Sequence, residues 1–308
     1  MNTIYFLYGA PRSGKSTYAK KLVSENNGRV IRVNKDDLRD LMYSTNHSYE
    51  IEKFTLNIRD KIIEKALRDG HDVVVDDTNF PFGGKHFLRI CEIAQLVGDI
   101  QIIEKFFDVE LKELLKRNKE SLDGKPVPEE VIDNMYNKYV KGKSDKYQFK
   151  EVYFPKIEKI KYNPKLKNCC IFDIDGSLAH AINRNIFDWK RVGEDSVDWN
   201  LKYINNIFHS YGDLEWTTLL EIIILSGRDS VCRPETEKWL QDNGIYYDYL
   251  YMRKENYNRK DSIIKKEIYD EYIKDKYNVL GIFDDRNQII DMWRSLGLPA
   301  YQVNYGDF

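Results

Sequence analysis

The sequence of 308 residues contains no apolar run close to the roughly 20 residues that a membrane-crossing helix requires. Its start, Met1-Asn2-Thr3 and then a strand-like run, lacks the basic region and cleavage site of a secretory leader. Cysteine is scarce. Cys91, Cys169, Cys170 and Cys232 form no Cys-x-x-Cys pair and no disulfide framework. With 17 glycines and 8 prolines, collagen-like and low-complexity architectures are excluded. An excess of one charge is missing too: 48 Lys and Arg face 50 Asp and Glu, a net charge of −2. A polyanionic partner is therefore not advertised globally, and local charge is the better guide. These absences predict a soluble protein of a reducing cytoplasm with no membrane partner. What is present is 42% hydrophobic and 32% charged residues, enough for about two domains of roughly 150 residues.

Along the first half, short apolar segments alternate with amphipathic ones. The spacing predicts strands at 4–8, 29–33, 73–75 and 100–107, and helices at 14–24, 49–68, 86–96 and 129–139. Such alternation implies a parallel sheet covered on both faces. Residues 141–167 break it with nine lysines against three acids, plus Pro155 and Pro164. A second alternation follows, with strands at 169–174, 221–225 and 279–283 and helices at 199–211, 235–243, 261–274 and 288–296. The expectation is an α/β chain with an N-terminal domain over 1–145, a basic linker over 146–167 and a C-terminal domain over 168–308.

The segment from Gly9 through Ser13, Gly14, Lys15 and Ser16 to Thr17 satisfies G-x-x-x-x-G-K-[ST] between a strand and a helix, the context of a P-loop NTPase-type domain. The glycines let backbone N–H groups curl around the phosphates of ATP at the positive end of a helix. Lys15 is expected to reach the β- and γ-oxygens, and Ser16 to ligate Mg²⁺. Phosphoryl transfer also needs a base near the acceptor. Asp36 is a candidate for it, with Arg39 beside it to grip a phosphate; the alternative is plain helix capping. Asp77 and Asn79 form a second candidate for the acceptor or metal side. Arg117 lies in the basic run Lys116-Arg117-Asn118-Lys119 before Gly124-Lys125-Pro126, which reads as a lid over the triphosphate.

In the second half, an apolar strand ends in Asp173-Ile174-Asp175-Gly176-Ser177. One acid can attack phosphorus while the other protonates the leaving oxygen. A calcium loop also begins this way, but position 12 from Asp173 is Arg184 and not the glutamate such a loop requires. Later strand ends supply Ser226-Gly227-Arg228 for phosphoryl oxygens and Asp284-Asp285 for Mg²⁺. Arg259-Lys260-Asp261 opens a helix and brings a cation.

This ordered set resembles the haloacid dehalogenase superfamily over about residues 168–308, and implies a Rossmann-like phosphatase domain. The resemblance implies Asp173 as nucleophile, Asp175 as general acid/base, and Ser226 with Lys260 as phosphate ligands, Lys265 being the alternative lysine. It implies Mg²⁺ held by Asp173, the Asp175 carbonyl and Asp285, supported by Asp284. The whole chain resembles the phage-type polynucleotide 5′-kinase/3′-phosphatase family. That likeness implies Asp36 as the kinase base, Arg39 at the acceptor end, Arg117 in the lid, and Arg184 and Arg228 in the phosphatase pocket. It also implies RNA or DNA ends as substrates (5′-hydroxyl, and 3′-phosphate or 2′,3′-cyclic phosphate), a polynucleotide ligase as functional partner, and a homotetramer. One departure stands out: where the family's lid has a second arginine, this chain reads Lys119-Glu120-Ser121-Leu122-Asp123. A small-molecule kinase fused to a phosphatase, and a nucleotide-gated binding module, are the competing readings.

Overall fold

The first strand, β1 (Asn2–Tyr8), buries Ile4, Phe6, Leu7 and Tyr8, a run apolar enough for the middle of a sheet. In this computed structural model, which describes residues 1–44, 47–121, 127–212 and 220–306, β1 is followed by α1 (Lys15–Glu25). Gly14 makes the turn between them at φ 100°, a backbone conformation costly for any residue with a Cβ. Next come β2 (Val30–Val33), α2 (Lys35–Tyr43) and α3 (Tyr49–Arg68). Asn34 caps α2 by accepting a 2.9 Å bond from the Asp37 N–H. On α3, Thr55, Arg59, Ile63, Ala66 and Leu67 form a buried stripe at helical spacing. The unit continues through β3 (Asp72–Val75), α4 (Lys85–Val97), β4 (Ile100–Phe106), α5 (Leu111–Lys119), α6 (Glu129–Tyr139) and β5 (Glu151–Phe154). The strands run β2-β3-β1-β4-β5, parallel except for β5. Ile4, Phe6, Ile63, Val73, Val75, Ile90 and Ile102 meet in one core, each burial contributing on the order of 1.5–3 kcal/mol.

The second sheet is built around β6 (Lys167–Phe172). A two-stranded ribbon, β7 (Ala179–His180) with β8 (Ser196–Val197), brackets a 3-10 helix at Trp189–Glu194. Then follow α7 (Trp199–Gly212), β9 (Leu220–Asp229), α8 (Arg233–Asp242), β10 (Tyr249–Arg253), α9 (Asp261–Tyr272), β11 (Tyr277–Arg286), α10 (Asn287–Ser295) and β12 (Ala300–Gly306). The order β10-β9-β6-β11-β12 is parallel throughout. Strand order reverses at β6, so the crevice beyond its carboxyl end is where ligands bind in such sheets. Among the described residues, no helix is long and apolar enough to cross a membrane.

The chain divides at 157/158, into Met1–Ile157 and Glu158–Phe308. The boundary falls inside the basic linker expected over 146–167, and the segment on either side of it is structured. Tyr147 donates to Glu104 at 2.8 Å and stacks on Phe82, while β5 adds an antiparallel edge to β4. Further on, Ile160 N donates to Gly297 O at 3.2 Å, and Asn163 N to Asn278 Oδ1 at 2.8 Å. Lysine content concealed a segment whose aromatic and apolar residues are built into both units. Strands β10 and β12 were likewise unexpected. They are sheet edges, and their exposed tyrosines blur the alternation.

Candidate functional site

Two clusters stand at the carboxyl ends of the two sheets. In the first, Lys15 is buried, and its Nζ donates to Gly9 O at 2.8 Å and Ala10 O at 3.0 Å. Burial lowers its pKa to about 8, against the opposing pull of Asp76, Asp77 and Asp36. Ser13 is buried in the loop, while Ser16 and Thr17 are exposed on the first turn of α1. The Ser16 hydroxyl donates to Asp76 Oδ1 at 3.2 Å, and Asp76 is also held by Arg32 at 2.7 Å. Arg117 on α5 donates to Arg12 O of the loop at 3.4 Å and is braced by Glu113 at 2.8 Å. Lys125 lies outside the described residues, as do Leu122, Asp123, Gly124 and Pro126 of the expected lid.

Asp36 is 66% exposed at the start of α2, and Arg39 touches it at 2.8 Å. Arg39 itself is buried and also donates to Glu52 Oε2 at 2.9 Å, so the two acids fix its guanidinium. The acceptor-side candidates Asp77 and Asn79 are placed differently from expectation. Asp77 is buried, accepting from Lys35 N at 2.8 Å on one oxygen and from Arg59 at 3.2 Å on the other. Burial raises its carboxyl above the usual range, opposed by Arg59 and Lys35. It anchors the N-terminus of α2 and has no exposed oxygen to offer an acceptor. Asn79 donates to Leu7 O at 2.7 Å, tying its loop to β1. Both side chains pair with backbone groups of the fold.

In the second cluster, Asp173 follows β6 and is buried. Lys265 Nζ lies 2.7 Å from Asp173 Oδ1 and 2.7 Å from Asp284 Oδ2. Burial alone would push Lys265 down, but Asp173, Asp284 and Asp261 outweigh it and hold the ammonium well above the usual lysine range. Oxygens of Asp173, Asp284 and Asp285 lie within 4.8 Å of one another. Burial and the charge of Asp284 raise the Asp285 carboxyl to about 6, and its Oδ1 is buried with no hydrogen-bond partner. Gly176, at φ 83°, packs against that carboxylate so closely that a Cβ would strike it. The fully buried Ser226 accepts from Arg228 N at 3.1 Å, and Gly227 packs on Asp261.

Asp175 points the other way. Its carboxylate, 45% exposed, accepts from Arg228 Nε at 3.0 Å and Nη2 at 2.8 Å. Arg228 also donates to the fully buried Asp195 at 2.6 Å, and Arg184 grips Asp195 through two bonds of 2.6 Å. Arg184 Nη2 comes within 3.9 Å of Asp175. Asp195 has no signature in the sequence; only the demand of two buried arginines reveals it. Asp76 was passed over for its neighbour because β3 is buried on both faces, so alternation cannot choose between adjacent acids.

Of the two candidate lysines, Lys265 is the one that pairs with the acids of the cluster. Lys260 is the exposed N-cap residue of α9, whereas Asp261 and Lys265 stand one turn apart on its buried face. Lys265→Ala is expected to cost phosphate release at least about 10²-fold and Lys260→Ala almost nothing, read as kcat on one phosphomonoester.

Fold and clusters together define a two-domain protein: a P-loop nucleotide-binding domain followed by a haloacid dehalogenase-type phosphatase domain. Residues 167–308 match the family model described as polynucleotide kinase PNKP phosphatase domain, and residues 4–141 match the AAA domain. A protein named as a bifunctional polynucleotide kinase/RNA ligase, from Autographa californica nuclear polyhedrosis virus, is 28% identical over 96% of this chain and 41% of its own length. An L-seryl-tRNA(Sec) kinase of Methanococcus maripaludis is 32% identical over 52% of this chain and 62% of its own. The chain thus spans less than two thirds of either relative. A solved structure of the Pnkp1/Rnl/Hen1 RNA repair complex aligns with 100% of this chain and 97% of its own, at 30% identity and a TM-score of 0.49. The C-terminal half is thus similar to polynucleotide kinase phosphatase domains and the N-terminal half to AAA domains.

Proposed function

We propose that the protein heals both ends of a broken polynucleotide, phosphorylating a 5′-hydroxyl from ATP and removing a 3′-phosphate or 2′,3′-cyclic phosphate. The observation that carries this reading is that each unit has its own charged cluster at the carboxyl ends of its own sheet. Two such sites acting on one phosphate would hydrolyse ATP to no effect. Opposite ends of one strand give both a purpose.

In the kinase half, Asp36 takes the proton of the 5′-hydroxyl, whose oxygen then bonds to the γ-phosphorus as the bond to the β-phosphate oxygen breaks. Arg39 holds Asp36 in place and meets the acceptor end, and Lys15 and Arg117 offset the charge that develops. Ser16, with Asp76 behind it, would hold Mg²⁺, and the ion would supply charge neutralisation at the phosphates.

In the phosphatase half, an Asp173 oxygen attacks phosphorus while Asp175 protonates the departing sugar oxygen. Asp175 then removes a proton from the water that releases phosphate from Asp173. Incoming phosphate competes with Asp175 for Arg228, which frees Asp175 toward the leaving oxygen. Ser226 and Lys265 receive phosphoryl oxygens. The all-oxygen donor set fits Mg²⁺: three carboxylates face one lysine, and Asp285 Oδ1 has no other partner. Asp173, Asp284 and Asp285 would hold the ion, and the family resemblance adds the main-chain carbonyl of Asp175. The ion supplies charge neutralisation at the phosphoryl group.

The virus relative's name and the RNA repair complex support a polynucleotide ligase as the functional partner. A homotetramer in a reducing cytoplasm completes the reading. Its test is incubation with γ-labelled ATP and oligonucleotides bearing either end, RNA beside DNA. Label is expected on the 5′ end and free phosphate from the 3′ end. A chelator is expected to abolish both and added Mg²⁺ to restore both. Activity on free sugars or nucleosides with none on oligonucleotides would overturn the reading.

A further inference from the structure

Beside the second cluster, residues 181–188 join β7 to the 3-10 helix and expose three large apolar side chains. Ile182 is 50% exposed, Ile186 57% and Phe187 66%. Singly such residues need no explanation, but three fall within six positions of one loop. The loop that carries them is braced. Arg184 Nη1 donates to the main-chain oxygens of Asn185 at 3.0 Å and Ile186 at 3.2 Å. Asn185 Oδ1 accepts from Phe187 N at 2.9 Å, and Asp188 N donates to Asn185 O at 2.9 Å. The Phe187 ring meets Trp189 edge-on, with centroids 6.0 Å apart. This same Arg184 is locked to Asp195 and lies 3.9 Å from Asp175. One guanidinium therefore links the apolar rim to the acid at the phosphatase cluster.

We infer that this rim is a base-stacking platform: the ring of Phe187 receives the base of the nucleotide that carries the 3′-phosphate, with Ile182 and Ile186 as its apolar border. The inference rests on the phosphatase reading above. At that site the phosphate end is polar and cation-lined, so the rest of the nucleotide must project outward past the arginines, and its base is the part that an apolar, aromatic surface recognises. Stacking reads a ring face and no base edge, so the four bases are accepted alike.

The test uses the full-length protein and two oligonucleotides with a 3′-phosphate, one ending in a normal nucleotide and one in a stable tetrahydrofuran abasic sugar. The wild-type protein is expected to favour the base-bearing end by about tenfold in kcat/KM. Phe187→Ala is expected to lose that preference and Phe187→Trp to keep it. Equal use of the two ends by the wild type, or an undiminished preference in Phe187→Ala, overturns the platform while leaving the phosphatase reading intact. Release of phosphate from neither end by the wild type overturns both.

Discussion

Asp173→Asn is expected to lower release of phosphate from a 3′-phosphorylated oligonucleotide by at least about 10²-fold, with transfer from ATP to a 5′-hydroxyl unchanged. Asparagine matches aspartate in size, so the buried pocket keeps its volume. Lys265 retains Asp284 as a partner at 2.7 Å. Removing one of three crowded carboxylates also relieves repulsion at Asp284 and Asp285, so the fold is expected to survive. What disappears is the anionic oxygen that bonds to phosphorus. Inorganic phosphate release, measured beside the thermal midpoint, separates lost chemistry from lost structure. Wild-type release from this variant would remove Asp173 from the reaction.

The second large effect belongs to the other unit. Lys15→Ala is expected to reduce 5′ phosphorylation by at least about 10²-fold, because its buried ammonium is a cation held within the glycine loop itself. A pH dependence accompanies it. Burial lowers the Lys15 pKa to about 8, so the free protein carries the charge below that pH and loses it above. Since kcat/KM reports the free enzyme, kcat/KM for ATP is expected to fall as pH rises through about 8, with a shallower fall in kcat. A profile of kcat/KM flat from pH 7 to 10 would count against Lys15 as the phosphate cation.

The glycine loop and the strand-end acids were legible because their meaning is local. Gly14 and Lys15 sit within a few residues of the strand they follow, and Asp173, Asp284 and Asp285 close apolar runs. Residues defined by distant partners were not. Asp195 meets Arg184 from 11 positions away and Arg228 from 33, in a loop without periodicity. The choice between Lys260 and Lys265 turns on helix phase, which one residue of error at the start of α9 reverses. Asp77 and Asn79 looked like ligands because they are polar at a strand end, yet both satisfy backbone groups that the fold itself needs paired. Arg59 carried a readable warning: a guanidinium inside the apolar stripe of α3 requires acids beside it, and Asp60 and the buried Asp77 are those acids. Strand β5 went unseen because alternating burial in four residues, Glu151–Phe154, is a weak signal among lysines.

One oligonucleotide bearing both a 5′-hydroxyl and a 3′-phosphate, given with ATP and Mg²⁺ to three proteins and resolved by mass, tests the separation of the two chemistries most directly. The wild type is expected to leave 5′-phosphate and 3′-hydroxyl, Asp173→Asn 5′-phosphate and 3′-phosphate, and Lys15→Ala 5′-hydroxyl and 3′-hydroxyl. Either folded variant losing both activities together would contradict two independent sites.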